Sequence, residues 1–389
     1  MRLRYLTAGE SHGPALTGII EGMPAGLALT VEHLHADGLR RKMGYGRGNR
    51  MKIETDEVKI LSGVRRGETL GSPIAIYLEN RDHQKWLEIM AVEPRDGEAA
   101  RGVYIPRPGH TDRVGGIKYA RADMRDILER ASARETAMRV ALGAIARRML
   151  VELGIHIASR VVRIGEVVDE TPLDAEIATL NARVDASPVR VLDPHAGERI
   201  MQQIDVAREA GDTLGGVFEV VAGGLPVGLG SHAQWDRRLD GRIGEAFLAL
   251  NAIKGVELGL GFHGAALPGS AVHDAYFPGT DGALTAYATN RAGGVEGGIS
   301  TGQPIVVRAA MKPIATLMKP LPSVDLRSGE ATSAYIERSD VCAVPAAAVI
   351  GEALLALVLA DAVLETFPGD TMASLGEHVG RWRTTVRAR

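Results

Sequence analysis

The chain has 389 residues, enough for one large domain or two ordinary ones, and its 45% hydrophobic and 24% charged content is that of a globular protein in water. A net charge of −3 argues against a nucleic-acid binder, and the single cysteine, Cys342, excludes an intrachain disulfide framework and suits a reducing compartment. Glycine is enriched, 47 of 389 residues or about 12% against an ordinary ~7%, which points to many turns and to backbone brought close to a ligand.

From the N-terminus, Arg2–Leu6 alternates and Leu16–Ile20 is largely apolar, so the chain opens as strand, tight turn, strand. The turn, Gly9-Glu10-Ser11-His12-Gly13, holds a carboxylate, a hydroxyl and an imidazole between two glycines. It is either a site or a polar turn with an incidental histidine. A Ser11–His12 nucleophile and base pair is disfavoured, because successive side chains of an extended segment point to opposite faces. No apolar signal core precedes the turn, and the expected location is the cytoplasm. Val31–Met43 reads as a helix with leucines on one face, running into the basic stretch Arg40–Arg50. Arginines alternating with glycines suit an anion, since flexible backbone lets forked guanidiniums converge on phosphate or carboxylate; a solvated charged loop is the plainer alternative.

Val58–Gly63 and Ile74–Leu78 look like strands, Asn80–Trp86 starts a polar segment, and Ala91–Val103 has no period and reads as a surface loop. Arg107-Pro108-Gly109-His110 then offers a second imidazole, placed directly before what reads as the longest helix. That helix, Ala133–Leu153, has Met138, Leu142, Ile145 and Met149 near helical spacing and Gly154 as its stop. Arg130–Thr136 sets small residues, a hydroxyl and an arginine at its start, where unpaired N–H groups can seat an anion, although an ordinary capping segment reads the same way.

His156–Gly165, Val217–Val221 and Pro304–Ala310 read as strands, and Leu173–Asp185, Gly197–Ala210 and Asp236–Gly255 as helices. Gly259–Phe262 and Gly293–Gly298 are glycine-rich loops, and Pro304–Ala310 delivers Lys312–Thr316. Pro345 suits the first turn of a closing helix. The apolar run within Pro345–Leu364 is interrupted by Gly351, Glu352 and Asp361, so it reads as a buried helix and not a membrane span. With no linker, low-complexity tract or repeat, the expectation is a single α+β domain over residues 1–389. The first strand is followed by no Gly-x-Gly-x-x-Gly, no Walker-type Gly-Lys-Ser/Thr occurs, and no metal-ligand spacing is seen. His12 and His110 can move protons near neutral pH, and Arg41, Arg47, Arg134 and Arg338, with Asp340 close to the last, suit a multiply anionic substrate. The residues alone reach an enzyme acting on a small phosphorylated or carboxylated molecule.

Gly9–Gly13, Arg40–Arg50 with its Gly-Tyr-Gly-Arg-Gly core, Arg107–His110, Ser132–Thr136, Lys312–Thr316 and Arg338–Pro345 resemble the chorismate synthase family in order and spacing, across essentially the whole chain. The resemblance implies an anti-1,4-elimination of phosphate from 5-enolpyruvylshikimate 3-phosphate, giving chorismate, the last common step toward the aromatic amino acids. Reduced FMN (FMNH2) is required although there is no net redox change. It further implies that His12 protonates the reduced flavin, that His110 lies near the substrate and that Asp340 relays the proton of flavin N5. Arg41, Arg47 and Arg134 match substrate-site positions, the first two also described as contacting NADPH. Arg130, Ala131, Ser132, Asn251, Ala252, Gly297, Lys312, Pro313, Ile314, Ala315, Thr316 and Arg338 match cofactor-binding positions; at Ala131 many relatives carry serine. The implied fold is a β-α-β sandwich with central helices between antiparallel sheets, assembled as a homotetramer. A separate flavin reductase is the expected source of reduced FMN; the alternative is a bifunctional form that reduces FMN with NADPH itself. No nucleic acid and no membrane is expected as a partner.

Overall fold

The computed structural model describes residues 3–48, 56–94, 100–173, 176–280, 284–337 and 339–387. Strands β1 (Arg4–Ala8) and β2 (Ala15–Glu21) pair antiparallel on either side of the 9–13 turn, with Leu6 opposite Ile19. Gly9 makes the turn possible: its φ is +110°, and a Cβ there would sit 2.3 Å from the Ala15 carbonyl oxygen. With β3 (Val58–Ile60) and β4 (Ile74–Glu79) these strands form an antiparallel sheet in the order β1-β2-β4-β3. Period-two burial is clear along β4, where Ile74, Ile76 and Leu78 are buried and Glu79 is exposed.

A second antiparallel sheet is built from β5 (His156–Ile164), β6 (Val167–Val168), β7 (Gly216–Gly223), β8 (Ile253–Leu258) and β9 (Ile305–Met311), in the order β8-β9-β7-β5-β6. The helices are α1 (Val31–Lys42), α2 (Asp112–Tyr119), α3 (Arg125–Ala131), α4 (Thr136–Glu152), α5 (Ile177–Val184), α6 (Pro194–Glu209), α7 (Leu239–Leu248), α8 (Val344–Thr366) and α9 (Met372–Arg387), besides shorter turns. Met138 and Leu142 of α4 lie against Gly18 of the first sheet, and Gly351 of α8 faces Phe218 and Val220 of the second. The two helices meet closely at Gly143, where a Cβ would come within 2.7 Å of the Ala353 Cα and carbonyl oxygen. By length and composition α8 could cross a membrane, but 94% of its most apolar window is buried inside the protein.

Several sequence expectations change. His110 does not precede the longest helix: α2 and α3 intervene before α4, and α8 is longer. Gly115 lies inside α2, where a bare Cα lets the helix approach Ile127 of α3. Arg130 and Ala131 end α3, and a one-turn 3₁₀ segment, Ala133–Glu135, leads into α4. The helix expected over Asp236–Gly255 stops at Leu248, and β8 begins at Ile253 after Ala252 takes φ +67°. Of the leucines of α1, Leu34 is buried as expected but Leu39 is exposed, and Asp37 and Arg41 are buried, so α1 also turns polar groups inward. α8 is followed by α9 and does not close the chain.

The polar side of α1 meets Glu352 of α8, which is fully buried. Arg40 donates to both Glu352 oxygens at 2.8 Å, Ser159 donates at 2.5 Å, and Arg147 and Arg190 also bond it. Asp37 and Asp185 share the same arginines. Burial alone would raise the Glu352 carboxyl, but the Arg40, Arg147 and Arg190 charges hold it well below the usual carboxylate range. Burial, aided by the charges of Arg40 and Arg147, pushes the Arg190 guanidinium down to about 10 despite Glu352. Glu352→Ala would leave three buried guanidiniums with only Asp37 and Asp185 to balance them and should cost about 3–5 kcal/mol in urea unfolding. A loss under ~1 kcal/mol would contradict this account of the network.

Candidate active site

The 9–13 turn is clamped by the end of α3. Ser11 N–H donates to the Glu129 carbonyl at 3.0 Å, and Arg130 donates to Gly9 O at 3.0 Å and to Thr7 O and Oγ1. Asn80 donates to Glu10 O and Gly13 O at 3.0 and 2.9 Å. The turn thereby presents His12 to Glu129: the backbone N–H donates to Oε2 at 2.8 Å, and ring Nδ1 lies 2.9 Å from Oε1. The ring stacks on Trp86, centroids 3.9 Å apart, and Arg125 and Arg101 lie over the same indole at 5.0 Å. Burial pushes the Glu129 carboxyl up, but the His12 hydrogen bonds and the Arg125 charge outweigh it and hold the group down. An ionised carboxylate only accepts, so His12 Nδ1 carries the proton and Nε2 is left for exchange with a ligand.

His110 repeats the arrangement. Its Nδ1 lies 2.5 Å from Asp112 Oδ1, at the start of α2, where Asp112 is fully buried. Arg107 donates to Asp112 from its backbone N–H at 3.1 Å and from Nε at 2.9 Å. Burial would raise the Asp112 carboxyl; the hydrogen bonds and charges of His110 and Arg107 hold it far below the usual range. Each imidazole thus rests on a buried carboxylate that an arginine also contacts.

Other predicted residues join the two pairs through a ring of contacts. Asn251 Nδ2 donates to Ala131 O at 3.0 Å, and Lys312 N–H donates to Ala252 O at 2.9 Å. Lys312 Nζ donates to Gly109 O at 2.5 Å, Thr213 Oγ1 donates to Ile314 O at 2.8 Å, and Arg107 Nη1 donates to Thr316 Oγ1 at 2.9 Å. Pro313 and Ala315 lie between, Ala315 beside Gly109. Ser132 Oγ accepts from Arg134 N–H and caps the 3₁₀ turn, so it serves the backbone there. Gly297 stands apart on the hairpin between Val295–Glu296 and Ile299–Ser300, with φ +58° and open space where a Cβ would be. Arg338 lies outside the described residues.

The cationic side is equally ordered. Asp56 bonds Arg41 at 2.7 Å and also Arg134, whose Nε donates to Asn80 Oδ1 at 2.9 Å. Two buried guanidiniums therefore share one carboxylate. Burial, then the Arg134 and Arg47 charges, push Arg41 down in spite of Asp56, and its Nε is buried with no hydrogen-bond partner among the described residues. Arg47 pairs with Asp340 at 2.8 Å, and Gly48 N–H donates to the other Asp340 oxygen at 2.6 Å. Asp340 is thereby tied to Arg47 and to the loop backbone. Glu129, Asp56, Asn80, Trp86 and Glu337 were not foreseen. Glu129 had a local signal, four residues after Arg125 on one helix, whereas Asp56 and Asn80 reach their partners only through tertiary contacts.

Burial would raise Asp56, but Arg41 and Arg134 draw it down to about 2. Its stabilisation is full above about pH 4 and is lost as pH falls through about 2, amounting to about 2 kcal/mol. Asp56→Asn, tolerable at the residue's φ of +54°, should flatten this part of the acid unfolding curve. An unaltered acid limb in chemical denaturation at stepped pH would contradict the assignment.

A family model described as chorismate synthase matches residues 3–364. The chain is 56% identical to the chorismate synthase of Desulforudis audaxviator (strain MP104C), over 99% of this chain and 98% of that one. It is 53% identical to that of Geobacillus kaustophilus (strain HTA426), over 98% of each. A solved crystal structure of a chorismate synthase aligns with a TM-score of 0.80 at 42% identity, covering 100% of this chain and 99% of the other. Matched over nearly its whole length in sequence and in structure, the chain belongs to the chorismate synthase family.

Proposed function

We propose that the chain converts 5-enolpyruvylshikimate 3-phosphate to chorismate and phosphate. The C–O bond to phosphate breaks and a ring C–H is lost, so the overall balance needs no oxidant or reductant. The observation that carries this reading is the pair of imidazoles, each with Nδ1 against a buried, arginine-backed carboxylate, within one contact ring beside buried cations. Two proton-handling groups and a surplus of guanidinium suit an elimination that expels an anion. Arg41, Arg47 and Arg134 are the groups we assign to the substrate's phosphate and carboxylates.

The residues fit FMN. Asn251 Oδ1 is buried and, among the described residues, accepts no hydrogen bond, an opening for a flavin N–H. Asn251, Ala252 and Lys312–Thr316 would line the cofactor, with Gly297 and Arg338 as further contacts; Arg130 and Ser132 support the turn and the α4 entry. Reduced FMN, when bound, would lend electron density to the substrate transiently and recover it. His12 would hold the proton balance on the flavin side and His110 on the substrate side. We assign Asp340 to proton relay, and its bonds to Arg47 and Gly48 give it a second task, holding the loop. We further propose one catalytic domain, laid out as a sandwich with α4 and α8 between the sheets, a homotetrameric assembly in the cytoplasm, and a separate reductase as the source of reduced flavin.

The deciding experiment is an anaerobic assay with chemically reduced FMN and substrate. Chorismate and phosphate should appear in equal amounts over many turnovers without further reductant. One equivalent of reductant per chorismate, or NADPH consumed in step with product, would overturn the monofunctional reading. His12→Ala and His110→Ala should each lower turnover by about 10²–10⁴; a variant at wild-type rate would reduce that histidine to a turn residue. Asp340→Asn should lower turnover by about 10²-fold while FMN still binds. Near-normal turnover with weakened substrate affinity would leave Asp340 as a loop clamp alone.

A further inference from the structure

The two histidine–carboxylate pairs are joined by a residue that the reaction as described does not use. Arg125 Nη1 donates to Glu129 at 2.8 Å while its Nη2 lies 3.8 Å from Glu337 Oε1. Arg107, which holds Asp112, has Nη1 3.6 Å from Glu337 Oε2. Glu337 therefore sets one oxygen toward each arginine. The result is a line of alternating charge: His12, Glu129, Arg125, Glu337, Arg107, Asp112, His110. The four inner side chains next to the histidines are at most 6% exposed, and Glu337 is 24% exposed. Charges so enclosed interact with little screening.

The arithmetic of that line is informative. With both imidazoles neutral, three carboxylates and two guanidiniums leave a net charge of −1. One added proton brings the line to zero; a second makes it positive. One charged imidazole therefore balances the line, and two would leave it with a net positive charge in a little-screened setting. Other charged or titratable groups nearby are Arg101 over Trp86, His83 against His12 O and Lys312 against Gly109 O. Arg101 is exposed and its field is screened.

We propose that Glu337 is a positioning residue that couples the protonation of His12 to that of His110, so that the site holds one shared proton. Only the catalytic consequence rests on the proposed reaction; the coupling belongs to the protein without ligands and is measured there. The experiment follows the ring resonances of both histidines against pH in the full-length protein, comparing wild type, Glu337→Gln and Glu337→Asp. Glu337→Gln removes the charge and keeps the shape, so both titration midpoints should move to lower pH together, by about 0.5 pH unit or more. Glu337→Asp should restore them. In activity assays Glu337→Gln should lower kcat with KM for substrate changed less than about twofold. Midpoints that stay in place, or one ring moving alone, would overturn the proposal, whatever happens to melting temperature. Should Glu337→Gln fail to fold, His110→Gln in the wild-type background decides: the His12 midpoint should then rise, and an unchanged midpoint would equally overturn the coupling. A coupled titration in a chain that forms no chorismate would sink the proposed reaction and leave the coupling standing.

Discussion

Glu352 is the constraint on which the active site depends. A carboxylate in the middle of the most apolar helix would be expelled or neutralised if it stood alone. It is retained because guanidiniums from α1, α4 and the segment after α5 converge on it. Their common partner fixes the C-terminal end of α1 against α8 and the second sheet. Arg41 is the next residue after Arg40, and the loop bearing Arg47 leaves two residues later. The position of Arg41 and Arg47 is thus set by a buried ion cluster one residue away, and by Asp56 and Asp340 at their own tips.

The same device recurs at smaller scale around the histidines. A buried carboxylate left to itself would tend to take up a proton, and a protonated carboxyl would no longer hold Nδ1–H in place. The His12 and His110 hydrogen bonds, with the Arg125 and Arg107 charges behind them, hold Glu129 and Asp112 below the usual carboxylate range in spite of burial. Trp86 adds a flat wall against one face of His12. Each imidazole is thereby held in place by the protein's own side chains.

What could be read in the sequence was what is local. The Gly9–Gly13 turn needs glycine at position 9 because the chain reverses against Ala15, and that signal is contained in five residues. The Arg-Gly alternation and Lys312–Thr316 are likewise contiguous. No element was expected over α2 and α3, and only the approach of Ile127 explains why glycine sits inside a helix there. β8 was absorbed into the helical period of Leu239, Ile243 and Phe247 before it. The partners that give the site its chemistry, Asp56 with Arg134 and Glu337 with Arg107, lie 78 and more than 200 positions apart, and no spacing rule connects them.

The central claim is that both imidazoles are held through Nδ1–H with Nε2 left open, and nitrogen-15 NMR of the histidine rings tests it most directly. In the neutral state His12 and His110 should both carry their proton on Nδ1, and Glu129→Gln should abolish that preference at His12 alone. Protonation of Nε2 at both rings in the wild-type protein would contradict the account.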